Sequence, residues 1–114
     1  MGTRRKWYPV YDLSVPDLNH IKAGNMREVT LKGRKVCLVY LEKWHAVEAR
    51  CPHAGAPLAK GHCTEEAKLV CPWHRVAFNL NDGLGDSGYF IEVYPVKVEN
   101  NILWVSLPKK GWFF

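Results

Sequence analysis

Helical periodicity is nearly absent from this sequence, and strand patterns take its place. No apolar run approaches the roughly 20 residues that a membrane-spanning helix needs. Four cysteines are too few for a disulfide scaffold in a chain of 114 residues. No nucleophile–base pair, carboxylate dyad or phosphate-cradling glycine loop stands out, so nothing points to substrate chemistry on the chain itself. Internal repeats and low-complexity segments are missing too. The net charge is +5, yet its carriers are scattered: Arg4 to Lys6 near one end, Lys109 and Lys110 near the other, and single residues between. A nucleic-acid face needs a dense basic stripe with interleaved aromatics, and none is present. A solvated basic surface remains, suited to steering an acidic protein partner.

The length fits one domain, residues 1–114, and five tryptophans supply large buried areas for a core. Arg4-Arg5-Lys6 raises the question of a twin-arginine export signal, which requires an apolar stretch of about 7–15 residues next. The following WYPVYDLSVPD is broken by two prolines and two aspartates. We therefore expect a reducing, cytoplasmic setting with no membrane contact.

Trp7–Tyr11 reads as an edge strand, because Pro9 cannot donate to a central ladder. Ser14–Asn19 reads as a turn or a single helical turn. Arg27–Leu31 and Arg34–Leu41 flank Lys32-Gly33 as a hairpin. Val36, Leu38 and Tyr40 face one way and Cys37, Val39 and Leu41 the other, so Arg34–Leu41 is expected to be central. Trp44–Glu48 continues the meander. Tyr94–Val98 and Ile102–Leu107 flank Glu99-Asn100-Asn101 as a second hairpin. Between Arg50 and Gly88 the chain is rich in Gly, Pro, Cys, His and Ala, with short strands only at Lys68–Val70 and Arg75–Leu80. The expectation is an all-β base, about residues 5–47 and 89–108, carrying a loop-rich lobe at about 48–88. Such a lobe should bury little apolar surface, and a metal site is the usual substitute for a core.

That lobe holds two compact pairs, Cys51 with His53 and Cys71 with His74, with seventeen residues between His53 and Cys71. A single zinc ion accepts four such ligands, but zinc fingers usually pair Cys with Cys and His with His. Here each loop contributes one of each. Mixed pairing suits a two-iron cluster clamped between loops, each giving Cys to one iron and His to the other. A structural zinc module for protein binding is the alternative of another class.

C-P-H at 51–53 and C-P-W-H at 71–74 resemble the Rieske signature C-x-H…C-x-x-H. Gly55-Ala56-Pro57-Leu58, Phe78-Asn79-Leu80 with Gly83, and Tyr94-Pro95-Val96-Lys97-Val98 extend the likeness over nearly the whole chain. It is closest to the small soluble ferredoxins of aromatic-ring dioxygenases and to the small subunit of assimilatory nitrite reductase. The resemblance implies a Rieske-like antiparallel β sandwich or barrel base with an inserted cluster-binding subdomain. It implies one [2Fe–2S] cluster, with Cys51 and Cys71 on the inner iron and His53 and His74 on the outer. It also implies an electron carrier rather than an enzyme, with a reductase and a terminal oxygenase or reductase as partners. A permanent small subunit of a nitrite-reductase-like complex is the alternative role.

Rieske proteins of respiratory and photosynthetic complexes carry two further cysteines that bridge the cluster loops. Ala56 and Trp73 stand at those positions here, so that bridge cannot form. Val76 and Phe78 stand where those proteins place Ser and Tyr, so no hydroxyl is supplied to the cluster sulfurs. Hydrogen bonds to sulfur stabilise the reduced, more negative state, and without them a low potential is expected. Arg75 replaces the glycine usual after the second histidine, which questions the loop geometry and adds a charge that opposes the low potential.

Cys63 reads as a free thiol beside the unpaired His62, and Cys37 as a core residue. His20 and His45 have no partners at ligand spacing and read as ordinary surface or strand residues. Pro57 and Leu58 read as a shield, and Trp73 as an apolar lid over the site or, alternatively, an exposed docking aromatic. The tail Trp112-Phe113-Phe114 either packs on the β base or mediates self-association.

Overall fold

Two tight turns set the register of the base. Lys32 and Gly33 both have positive φ, 51° and 80°, and so do Asn100 and Asn101, at 56° and 61°. That is the type I′ pattern, whose twist matches the right-handed twist of the strands it joins. The first turn links β2 (Asn25–Leu31) to β3 (Arg34–Leu41) with Leu31 opposite Arg34. The second links β9 (Val96–Glu99) to β10 (Ile102–Pro108) with Glu99 opposite Ile102. The computed structural model describes residues 5–14, 25–52, 54–73 and 75–108. Among them the elements are all strands and short 3₁₀ turns, and no helix is long and apolar enough to cross a membrane.

β1 (Arg5–Asp12) lies at the edge of a sheet ordered β1-β10-β9, and its register slips between Pro9 and Tyr11. Proline without an N–H is tolerated at an edge and beside a bulge, as the sequence led us to expect. A second sheet runs β2-β3-β4-β8, with β4 at Lys43–Glu48 and β8 at Val93–Tyr94. β3 is central there, and Val36 to Val39 are buried without a break. A third, small sheet joins β5 (His62–Cys63), β6 (Lys68–Val70) and β7 (Ala77–Asn79).

Alternation along β3 divides two cores. Val36 and Leu38 join Ala46, Tyr94, Leu103, Val105 and Leu107, filling the space between the two larger sheets. Cys37 and Val39 join Val47, Ala49, Leu58, Leu69, Phe78 and Leu80 on the opposite face. The second sheet is therefore covered on both sides, which is why its middle strand reads as a continuous apolar run.

Three expectations need correction. The strand expected over Tyr94–Val98 is two strands in different sheets: β8 pairs with β4, β9 pairs with β10, and Pro95 sits at the switch. The strand expected over Arg75–Leu80 is only Ala77–Asn79, because Arg75 has left-handed φ and belongs to a turn. The lobe is not short of core either. Leu58, Leu69, Phe78 and Leu80 are all fully buried, each contributing about 1.5–3 kcal/mol of burial. Their chain segments are short, but all pack on the face of one existing sheet. The turn expected over Ser14–Asn19 lies outside the described residues beyond Ser14, whose N–H and hydroxyl donate to Asp12 Oδ1 at 3.0 and 2.6 Å. His20 and the tail Trp112–Phe114 also lie outside them.

His45, a strand residue as expected, is buried on β4. It lines a cleft with Leu41, Glu42, Lys43, Glu65, Ala67 and Asn81. Burial, and then the Lys43 charge, hold its pKa below the ordinary value. A lowered folded-state pKa means that the unfolded chain takes up the proton first. The contribution of His45 is thus intact above its unfolded pKa of about 6.5 and declines as pH falls toward the folded value. The melting temperature should drop more in the wild type than in His45→Gln between about pH 7 and pH 5. Parallel profiles for the two proteins would contradict this.

Candidate metal centre

Two turns of the same design carry the cysteines. In the first, the Cys51 N–H donates to the Ala56 carbonyl at 2.9 Å and the Gly55 N–H donates to the Cys51 carbonyl at 2.7 Å. In the second, the Cys71 N–H donates to the Val76 carbonyl at 2.9 Å and the Arg75 N–H to the Cys71 carbonyl at 3.1 Å. Both turns pass through a left-handed residue at the same place, Gly55 at φ 75° and Arg75 at φ 57°. Both put proline directly after the cysteine, where its fixed φ restricts the chain's entry into the turn. Arg75 therefore adopts the geometry a glycine would take, and the loop survives the substitution.

The stems differ. Arg50 and Pro57 form an isolated bridge below the first turn, and the Leu58 N–H donates to the Ala49 carbonyl at 2.9 Å. Val70 pairs with Ala77 below the second, as part of β6 and β7. Asp86 Oδ2 accepts from the Ala77 N–H at 3.1 Å and fastens that strand to the following 3₁₀ turn.

Cys51 and Cys71 are both 1% exposed and lie in the same apolar cluster. Two cysteines offered by separate turns within one water-excluded cluster are the sulfur donors that soft-metal and iron–sulfur centres use. His53 and His74 lie outside the described residues, and among the described residues no group of three His, Cys, Asp or Glu side chains gathers into a metal site. The two remaining cysteines belong to the same apolar surroundings, Cys37 within the cluster and Cys63 packed against it. Burial pushes the Cys37 thiol up to about 12 and the Cys63 thiol up to about 11, so both stay protonated at neutral pH. All four cysteines are free of disulfides, as the reading of Cys37 and Cys63 anticipated.

Leu58 sits fully buried in the cluster with Cys51 and Cys71, in keeping with a shielding role. Trp73 is 59% exposed in the second turn, which fits the exposed reading rather than the lid. Val76 is half-buried and Phe78 fully buried, so apolar groups occupy both positions where a hydroxyl would face a sulfur. One feature of the site had no signal in the sequence. Arg50, next to Cys51, holds a two-pronged ion pair with Glu28 on β2, through Nη1 to Oε1 and through Nη2 to Oε2 at 3.3 Å.

A β sandwich that offers two like cysteine turns from one apolar core is a scaffold for a metal cluster held between loops. Residues 6–88 match the family model of the Rieske [2Fe-2S] domain. The chain belongs to the Rieske [2Fe-2S] domain family. It is 32% identical over 94 residues to the ferredoxin component of the alkene monooxygenase system of Xanthobacter autotrophicus, covering 77% of each chain. It is 35% identical over 104 residues to apoptosis-inducing factor 3 of Homo sapiens, covering 88% of this chain but only 17% of that protein. Among solved structures, a Mycobacterium tuberculosis protein assigned as the small subunit of an NADH-dependent nitrite reductase superposes with a TM-score of 0.80. The identity is 25%, and the match covers 93% of this chain and 98% of that one. The cofactor is accordingly one Rieske-type [2Fe–2S] cluster, not a single zinc, and the chemistry of the domain is electron transfer.

A non-glycine residue with left-handed φ costs about 1–2 kcal/mol, against about 0.5–1 kcal/mol of extra chain entropy that a glycine loses on folding. Arg75→Gly should therefore raise the melting temperature by a few degrees, whereas Arg75→Ala, which keeps the strained φ, should not. A lower melting temperature for Arg75→Gly would show that the guanidinium stabilises the turn by more than its backbone costs.

Proposed function

We propose that this domain takes single electrons from a reductase and delivers them to an oxygenase-type terminal enzyme. Cys51 and Cys71 bind the inner iron of the cluster, and His53 and His74 bind the outer iron. The observation that carries the reading is the pair of equivalent turns that bury Cys51 and Cys71 in one apolar cluster. When bound, the cluster supplies a centre that accepts and releases one electron. The chain's own residues set its surroundings. Leu58, Phe78 and Leu69 keep water from the cysteine side. The backbone bonds at Cys51 and Cys71 hold both turns in one conformation. Trp73 and Arg75 are exposed beside the histidine positions, where an apolar contact with an acidic rim on the partner would match them. Four cysteines without a disulfide among them fit a cytoplasmic, reducing setting.

The alkene monooxygenase ferredoxin component supports the oxygenase role. The nitrite reductase small subunit, similar over almost its whole length, supports a second role as a permanent subunit. A long-lived complex on size-exclusion chromatography favours the second, and a transient one the first. Association of two copies through Trp112–Phe114 is a further proposed contact: loss of association on deleting residues 112–114 supports it, and loss of stability alone points to packing on the β base.

The midpoint potential should lie below zero, toward the low end of the Rieske span near about −150 mV, because Val76 and Phe78 offer the sulfurs no hydrogen bond. Cys51→Ser should remove iron and sulfide from the purified protein, while Cys63→Ser should retain both. A midpoint well above zero would overturn the electrostatic argument, and an intact cluster in Cys51→Ser would overturn the ligand assignment.

A further inference from the structure

We propose that the Arg50–Glu28 ion pair braces the first cysteine turn and, with Glu28 offsetting the guanidinium, keeps Arg50 from raising the potential of the cluster. The inference rests on Cys51 being a ligand. Arg50 directly precedes Cys51, and its backbone bridges to Pro57 at the base of the turn. Its guanidinium reaches across to Glu28 on β2 with two parallel contacts, the geometry that gives an arginine–carboxylate pair its directionality. The second turn needs no such strut, because its stem is the ladder between β6 and β7. The first stem is paired by the isolated Arg50–Pro57 bridge and the Leu58–Ala49 hydrogen bond rather than by a ladder. The ion pair adds a polar tie to β2 beside the burial of Ala49, Ala56 and Leu58 against the base.

The same pair places two opposite charges beside a redox centre. Reduction adds one negative charge to the cluster. A neighbouring cation favours that state and raises the potential, and a neighbouring anion lowers it. The two side chains are partly buried, so solvent screens them incompletely. While paired, their effects largely cancel, and the low potential is preserved despite an arginine next to a ligand. Separating them exposes one sign or the other.

A purely mechanical role predicts a different pattern. Loosening the turn from either side disturbs the cluster in the same way, so Glu28→Gln and Arg50→Gln shift the potential alike or not at all. The electrostatic role demands shifts of opposite sign. Glu28→Gln leaves an uncompensated guanidinium and raises the midpoint. Arg50→Gln leaves an uncompensated carboxylate and lowers it. The double variant returns toward the wild-type value.

The test is protein-film voltammetry of the holoprotein and these three variants, with iron and sulfide contents measured on the same preparations. Opposite shifts with a restored double variant are the expected result. Shifts of one sign, or none, in fully loaded proteins would overturn the proposal. Should either single variant fail to hold the cluster, the charge-swapped Arg50→Glu/Glu28→Arg protein decides. Recovery of iron and sulfide there supports the strut, and continued loss overturns it. Cys51→Ser run alongside separates the two levels: a cluster retained in Cys51→Ser removes the ligand assignment, whatever the ion-pair variants do.

Discussion

The burial of β3 on both faces is the constraint from which the rest of the structure follows. A strand alternates its side chains between two sides. Val36 and Leu38 anchor the core between the two larger sheets, while Cys37 and Val39 anchor the core beneath the cysteine turns. One short segment thus locks the base together and provides the floor on which the lobe is assembled. Without the second apolar face, Leu58, Leu69, Phe78 and Leu80 would have nothing to pack against, since their own segments are too short to make a core. The turns that carry Cys51 and Cys71 rise directly from that packing and share its exclusion of water.

Two different solutions hold two similar turns. Each closes with the same pair of backbone hydrogen bonds and passes through a left-handed residue. One stem is a strand ladder, and the other is a bridge tied sideways by Arg50 and Glu28. The turns place cysteine at equivalent positions, yet His53 lies two residues and His74 three residues beyond its cysteine. The likeness is therefore one of backbone design, with the side chains after the proline free to differ. Trp73 occupies the place in the second turn that His53 has in the first, and is exposed to solvent. The proposed metal site thus has a buried cysteine side and an exposed aromatic rim at Trp73, suited to a carrier that must meet other proteins.

Much of this was legible before any coordinates. Lys32-Gly33 and Asn100-Asn101 announced their hairpins because left-handed turn positions tolerate few residues. β3 announced its central place through apolar residues on both faces. The candidate ligands stood out through spacing, and the family match over residues 6–88 contains all four. Other features had no local signature. Pro95 lies within an apparently continuous strand, and only the pairing of β8 and β9 with different neighbours reveals the break. The core of the lobe is built from residues scattered over short segments, so no window of sequence displays it. Glu28 and Arg50 are separated by 22 positions, and nothing in either neighbourhood predicts the other. The exposure of Trp73 is not encoded by spacing alone.

The central claim is a [2Fe–2S] cluster held by one Cys and one His from each of two turns. It is tested most directly by electron paramagnetic resonance of the dithionite-reduced protein, with nitrogen couplings resolved by a pulsed method. The account predicts a one-electron signal from a two-iron cluster in which the reduced iron couples to two imidazole nitrogens. A cluster signal without nitrogen coupling, or a colourless protein that binds zinc and gives no signal, would contradict it.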